Sequence, residues 1–323
     1  ILELKKQWPL WGAPKLHHVL QGQVSAERCP CESSVSNILR RNGLTKPMKP
    51  RRIPGPRAEA QYGHEPNQTW CVDFKGWWCT RDGKRCDPLT LTDASSRYLI
   101  RCQAFSESTA TSMVQPVFTA AFREYGLPEA IRSDNGPPFA SNGLCGLSRL
   151  SVWWLKLGIR PDRIEPGHPE QNGRHERMHR TLKESIGAPA RNLRAPQVEL
   201  DRFRHHYNEE RPHEALDFAV PGARYQASPR AWSERLPAAM EYADEWESRS
   251  VRVSGQMKWG GRDVRISDAL VGERIGLKPL RDGVWEVYFG SLCLGVFDER
   301  KQRLQAHRQK PSSSPVPEGA PAL

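Results

Sequence analysis

TWCVDFKGWW, residues 69–78, alternates apolar and polar positions and reads as a β-strand with Asp73 midway along it. Aspartate runs against β propensity, so its presence inside a strand marks a residue with another use. Working outward, CDPLTLTD (86–93) and RYLIRCQAF (97–105) read as two further strands joined by the turn Asp93-Ala94-Ser95-Ser96. Three strands in succession predict an antiparallel meander. The stretch 106–126 then reads as a helix, with Ser108 as N-cap and Val114, Phe118, Ala121 and Tyr125 as an apolar stripe. Pro116 should kink that helix or shift its start. EAIRSD (129–134) reads as a strand, LSRLSVWWLKLG (147–158) as a helix, RPDRIEP (160–166) as an extended piece and NGRHERMHRTLKESI (172–186) as a helix. This order describes an α/β domain over 68–190, a mixed sheet with helices on its faces.

Residues 1–45 read as a small helical unit. Leu16, Val19 and Leu20 share one helical face, Val35, Ile38 and Leu39 another, and Gly43 is the expected C-cap. Two short helices with a basic second one fit a helix-turn-helix better than a generic hairpin, with Ser34, Asn37, Arg40 and Arg41 as candidate DNA contacts. Residues 46–67 form a basic, proline-rich linker. Arg51 and Arg52 there are further candidate DNA contacts, although a plain spacer fits the composition nearly as well. Beyond the α/β domain, 191–246 reads as a helical extension and connector. Residues 247–305 show short β runs broken by Gly-Gly and Asp-Gly, as in a small barrel, and 306–323 should be a disordered tail.

Composition narrows the class. Across 323 residues, 48 Lys and Arg stand against 37 Asp and Glu, a net charge of +11. That balance suits a nucleic-acid partner, and on charge alone it suits a merely basic soluble protein equally. No apolar stretch approaches the roughly 20 residues that span a bilayer, and no signal-peptide pattern opens the chain, so a cytoplasmic location is expected. The chain begins at Ile1, so its N-terminus is expected to be incomplete. The eight cysteines form no C-x-x-C pair and read as reduced, mostly buried thiols. His17, His18, Cys29 and Cys31 are spaced poorly for tetrahedral zinc.

Two further acids stand out. Asp134 ends a short apolar run just before Asn-Gly, and Glu176 lies on a polar helix. Alone, Asp134 reads as a turn residue and Glu176 as a solvated charge or a partner of Arg180. Together with Asp73 they supply carboxylates from a strand, a strand end and a helix. Such hard oxygen donors suit two Mg²⁺ ions about 3.5–4 Å apart in a phosphoryl-transfer site.

The segments WCVDFKG, SDNGPPF and GHPEQNGRHERMHRTLK resemble the catalytic core of bacterial insertion-sequence transposases with a retroviral-integrase-type core, the DDE recombinases. YNEERPHEAL and the C-terminal runs KWGGRDVRIS, WEVYFG and LGVFDE resemble one subgroup of these elements, as does the upstream helix-turn-helix. The resemblance spans nearly the whole chain and is most specific over about 68–190. It implies an RNase H-like fold, with the helix-turn-helix before it and the small all-β domain after it. It also implies DNA cleavage and strand transfer with two Mg²⁺ ions, Mn²⁺ being able to substitute. Asp73 would bridge the ions, Asp134 would hold one and Glu176 the other, while Arg180 and Lys183 would hold phosphates. The implied partners are double-stranded DNA, both terminal inverted repeats and target, and further copies of the chain in a homo-multimer on that DNA; no membrane is implied. Lys258, Arg262 and Arg265 would face DNA or a neighbouring subunit. The family's usual spacing of 35 residues would select Glu170, but its P-x-x-(N/Q)-G turn, here Pro169 to Gly173, selects Glu176, 41 residues after Asp134. The loop ASNGLCGLSRL (140–150) accounts for the extra length. Two alternatives stay open: a nuclease of the same fold that only hydrolyses, and a decayed or domesticated protein that binds DNA without cutting it.

Overall fold

β1 (Thr69–Phe74) forms where expected, with its first four residues buried. It stops sooner than TWCVDFKGWW suggests, because Gly76 takes a left-handed φ of +84° and redirects the chain. Trp78 and Cys79 instead make β2 (Trp78–Cys79), paired with β3 (Arg85–Cys86) in a separate two-stranded ribbon. β4 (Leu89–Asp93) and β5 (Leu99–Gln103) complete the meander, both pairings antiparallel. β6 (Ala130–Ser133) and β7 (Arg160–Arg163) pair in parallel. The computed structural model describes residues 1–45, 63–80, 83–106, 109–165, 167–186, 194–236 and 239–306. The five-stranded sheet has the order β5-β4-β1-β6-β7. Counted along the chain, its strands run 3-2-1-4-5, the RNase H-like arrangement expected from the motifs.

The chain divides into two compact units. The first comprises Ile1–Ser108, Ala120–Pro128 and Pro169–Arg230. At its start are α1 (Leu2–Gln7), α2 (Ala13–Gln21) and α3 (Glu32–Arg41), closed around Leu4, Trp11, Leu16, Leu20, Val35 and Leu39. α1 is too short for periodicity to reveal. Gly43, one residue past the Asn42 cap, has φ +66°. Trp8 stacks on Trp11 and His206, His18 on Phe218, and Lys15 pairs with Glu214, so these helices rest on the segment 206–218.

In the same unit α6 (Gly173–Ile186) and α7 (Arg194–His205) cover β5 through Leu99, Cys102, Met178, Leu182, Leu200, Phe203 and Tyr207. A π-turn, His206–Glu210, follows α7 and presents Asn208, whose buried amide accepts from Leu99 N and donates to Leu99 O. Asn67, at φ +66°, lies at the head of β1. Its backbone N–H donates to Asp93 while its side chain accepts from Trp70 and Tyr225.

The second unit comprises Thr109–Thr119, Glu129–His168 and Ala231–Leu323. Its strands β8 (Glu247–Ser250), β11 (Arg274–Arg281), β12 (Val284–Phe289), β13 (Leu292–Asp298) and β14 (Arg303–Ala306) form one sheet; β9 (Gln256–Trp259) and β10 (Arg262–Arg265) form a hairpin. Their inward faces share a single core with α5 (Arg149–Lys156). Leu147, Val152 and Leu155 pack with Val251, Met257, Ile275, Val287, Phe289 and Phe297. Lys156 Nζ reaches Glu273 at 2.9 Å, and Cys145 Sγ donates to Leu294 O at 3.2 Å.

α4 (Thr111–Tyr125) begins at Thr111, with the Ala110 carbonyl accepting from Met113 and Val114; Ser108 lies outside the described residues. Pro116 is inside this helix, and Val114, Phe118, Ala121 and Phe122 are buried. The thiols correct the expectation of mostly buried cysteines. Cys71, Cys86 and Cys102 are buried, Cys31 and Cys79 are exposed, and no disulfide joins any of the eight. Among the described residues no helix is long and apolar enough to cross a membrane.

Candidate active site

Asp73 lies opposite Thr90 across the β1–β4 pair, with its side chain 23% exposed. α6 meets this strand pair from above. It follows a 3-10 turn at Pro169–Asn172 that contains Glu170, and it has two faces: Met178 and Leu182 are buried, while Glu176, Arg180 and Lys183 are exposed.

Two histidines on α6 lie inward, where so polar a helix would suggest solvated or DNA-facing side chains. His175 and His179 are buried, at 2% and 7% exposure. They are one turn apart, with ring centroids 4.6 Å apart and the rings nearly perpendicular. Each Nε2 lies 2.7 Å from Thr90 Oγ1, and His175 Nδ1 lies 2.8 Å from Thr92 Oγ1. Thr90 Oγ1 donates to the Asp73 carbonyl at 3.1 Å, and His179 Nδ1 is 3.8 Å from Asp73 Oδ2. Burial pushes the His175 pKa down to about 3; burial, with help from His175 and Lys75, pushes that of His179 down to about 2. Both rings are therefore neutral at physiological pH. Within this unit α6, with Glu176 between the two histidines in sequence, is joined to the strand pair that carries Asp73.

Asp134 belongs to the second unit, immediately after β6. Its Oδ1 accepts from Gly136 N at 3.1 Å, the turn bond expected before Asn-Gly. Neighbouring Asn135 donates to Ile164 O at 2.9 Å and ties this turn to the end of β7. Asp73, Asp134 and Glu176 are hard oxygen donors, the chemistry that suits Mg²⁺. Among the described residues no three His, Cys, Asp or Glu side chains already stand together as a metal-holding group.

Asp93, at the turn between β4 and β5, is fully buried and accepts from Asn67 N, Ser96 N and Ser96 Oγ at 2.6–2.7 Å. Burial raises its pKa against the pull of those bonds. It is a structural hub for the β4–β5 turn.

On α3, Asn37, Arg40 and Arg41 are exposed, and Arg40 donates to Asn37 at 2.8 Å. Ser34 is half-buried and its hydroxyl bonds Cys31 Sγ. Arg51 and Arg52 lie outside the described residues. Lys258 and Arg262 are exposed on the β9–β10 hairpin, and Arg265 pairs with Asp268. Thr90 and Thr92, which meet the α6 histidines, escaped sequence reasoning. Their one signal is polar threonine in the run LTLTD, whose five residues are all buried.

Residues 63–169 and 157–221 each match the family described as Integrase core domain, and residues 246–305 match the IS481 family transposase, C-terminal domain. An uncharacterized 39.2 kDa protein of insertion element IS476 from Xanthomonas euvesicatoria is 29% identical over 196 residues, covering 58% of this chain and 52% of that protein. An uncharacterized 31.7 kDa protein of insertion element IS407 from Burkholderia multivorans is 28% identical over 181 residues, covering 54% and 61%. The chain thus spans between half and two thirds of the length of these two relatives. Transposase InsD of insertion element IS2 from Escherichia coli is 28% identical over 227 residues, covering 66% and 72%. Among solved structures, a chain of the simian T-cell lymphotropic virus intasome in complex with PP2A regulatory subunit B56 gamma is 17% identical with a TM-score of 0.45, covering 90% of this chain and 96% of that one. The HTLV-2 integrase catalytic core domain in complex with magnesium is 15% identical with a TM-score of 0.39, covering 50% and 98%.

Proposed function

We propose, from the premise that this chain belongs to the insertion-sequence transposases with an integrase core, that it cleaves DNA at the ends of an insertion element and transfers the freed strand to a target. The observation that carries the reading is the Thr90 hydroxyl, 3.1 Å from the Asp73 carbonyl and 2.7 Å from Nε2 of both His175 and His179: within one unit it joins the helix bearing Glu176 to the strand bearing Asp73, and Glu176 stays exposed. Asp73, Asp134 and Glu176 would hold two Mg²⁺ ions, or Mn²⁺ in their place. Those ions, when bound, supply charge neutralisation for the reacting phosphodiester and activation of the attacking oxygen.

The rest falls to the chain's own groups. Arg180 and Lys183, one and two turns beyond Glu176, hold phosphates flanking the scissile bond. Water attacks the phosphorus of that bond and leaves a 3′-hydroxyl and a 5′-phosphate; the 3′-hydroxyl then attacks a target phosphodiester in line and expels a 3′-hydroxyl of the target strand, with no covalent enzyme intermediate. Ser34, Asn37, Arg40 and Arg41 on α3 read the terminal inverted repeats, Arg51 and Arg52 follow the backbone, and Lys258, Arg262 and Arg265 meet DNA or a second copy. Joining two ends requires a multimer on the DNA.

The deciding experiment is Asp73→Asn, assayed on a double-stranded oligonucleotide bearing the element's terminal repeat. Strand transfer should fall by at least about 10³-fold while DNA binding stays intact. Unchanged strand transfer would leave a binding protein, and nicking without joining in the unaltered chain would leave a nuclease. Glu176→Gln should be as severe and Glu170→Gln mild.

A further inference from the structure

Resting on the carboxylate assignment above, we propose that Thr90, His175 and His179 are positioning residues: a buried hydroxyl–imidazole clamp that sets the helix carrying Glu176 at a fixed height on the strand pair carrying Asp73. None of the three is offered as a ligand.

Bond counting supports the clamp. The Thr90 hydroxyl has one proton and three neighbours: the Asp73 carbonyl at 3.1 Å and two imidazole Nε2 atoms, each at 2.7 Å. With its proton on the Asp73 carbonyl, its oxygen can only accept from both rings, so both histidines carry the proton on Nε2. His175 Nδ1 is then an acceptor, and the Thr92 hydroxyl at 2.8 Å supplies its donor. Every hydrogen is used once and the pattern has one direction. All four groups are buried, so a half-made version would leave polar atoms without water.

An apolar anchor would be cheaper to bury and less exacting. The far half of α6 has such an anchor, Met178 and Leu182 against Leu99, Leu200 and Phe203. Apolar packing is non-directional and tolerates sliding of a few tenths of an ångström. Hydrogen bonds at both His175 and His179 do not, and they bracket Glu176. Polar partners one step removed from a ligand are where such precision is set, and losing one typically lowers metal affinity or rate by about 10–100-fold.

The test compares Thr90→Val, which keeps the shape and loses the hydroxyl, with Thr90→Ser, which keeps the hydroxyl, in the full chain. Mn²⁺ binding is titrated by electron paramagnetic resonance, and strand transfer is assayed in parallel. Thr90→Val should weaken Mn²⁺ binding and slow strand transfer by about 10-fold or more, with DNA binding retained, while Thr90→Ser restores most of both. ¹⁵N-labelled histidine should show Nε2-protonated rings for His175 and His179 in the unaltered chain. Wild-type Mn²⁺ affinity in Thr90→Val overturns the proposal, as does a Thr90→Ser variant equally impaired. If Thr90→Val does not fold, His179→Gln (a retained donor) against His179→Leu is read the same way. Asp73→Asn separates the two ideas. If it abolishes Mn²⁺ binding while Thr90→Val changes nothing, the clamp alone fails; if it leaves binding and activity intact, the carboxylate reading itself fails.

Discussion

Asp73 and Asp93 sit on paired strands of one sheet and have opposite fates. Asp93 is fully enclosed and its two oxygens accept three bonds, whereas Asp73 keeps its carboxylate partly open to solvent. Asp93→Ala should therefore cost about 3 kcal/mol of stability, read from denaturant unfolding, because it strands three buried donors. Histidines give the pH dependence. His175, His179 and His213 are buried, with pKa values pushed down to about 3, about 2 and about 3, chiefly by burial. Between pH ~6.5 and ~3 the unfolded chain takes up protons that the folded chain refuses. Stability is thus full above pH ~6.5 and falls as pH is lowered, by up to about 1.4 kcal/mol per pH unit for each ring. Calorimetric melts from pH 7.5 to 4.5 should trace this fall, and His213→Phe should flatten it by one ring's share. The motifs single out Asp73, Asp134 and Glu176 as candidates, but the burial of His175 and His179 was not legible in them. In HERMHR they look like part of a polar face, and the threonines that enclose them lie more than 80 residues earlier.

Elements with strong local periodicity were the legible ones: β1, the meander, α4, α6 and the C-terminal strands separated by glycine turns. Gly260, Gly261 and Gly283 indeed take φ values of +53°, +80° and +69°. What escaped was short or set by distant partners, namely the six-residue α1 and the two-residue strands β2 and β3. α4 carries a local conflict. Pro116 has no N–H for the Ser112 carbonyl, and its exposed position rules out a packing reason for keeping the ring. Pro116→Ala should stabilise the chain by roughly 1–2 kcal/mol, the restored helix bond outweighing the looser unfolded state. A rise in melting temperature would register it, and an unchanged one would mean that water already serves that carbonyl.

At the scale of the molecule, the order of strand and helix patterns pointed to a mixed α/β domain followed by a β region, and both are present. The joining of that β region to α5 was not legible, since Leu147, Val152 and Leu155 read simply as the apolar face of a helix in the first domain. A chain ended after Trp246 should therefore lose solubility, its uncovered leucines and valine driving aggregation that sedimentation would detect. A freely tethered module would have predicted a well-behaved monomer instead.

That shared core bears on how such elements diversify. A mobile element that acquired a foreign tail by recombination would inherit strands shaped for another helix, so tail and α5 face have to change hands together. Leu147, Val152 and Leu155 would have to travel with the strands they pack against, although 80 residues and more of chain separate them.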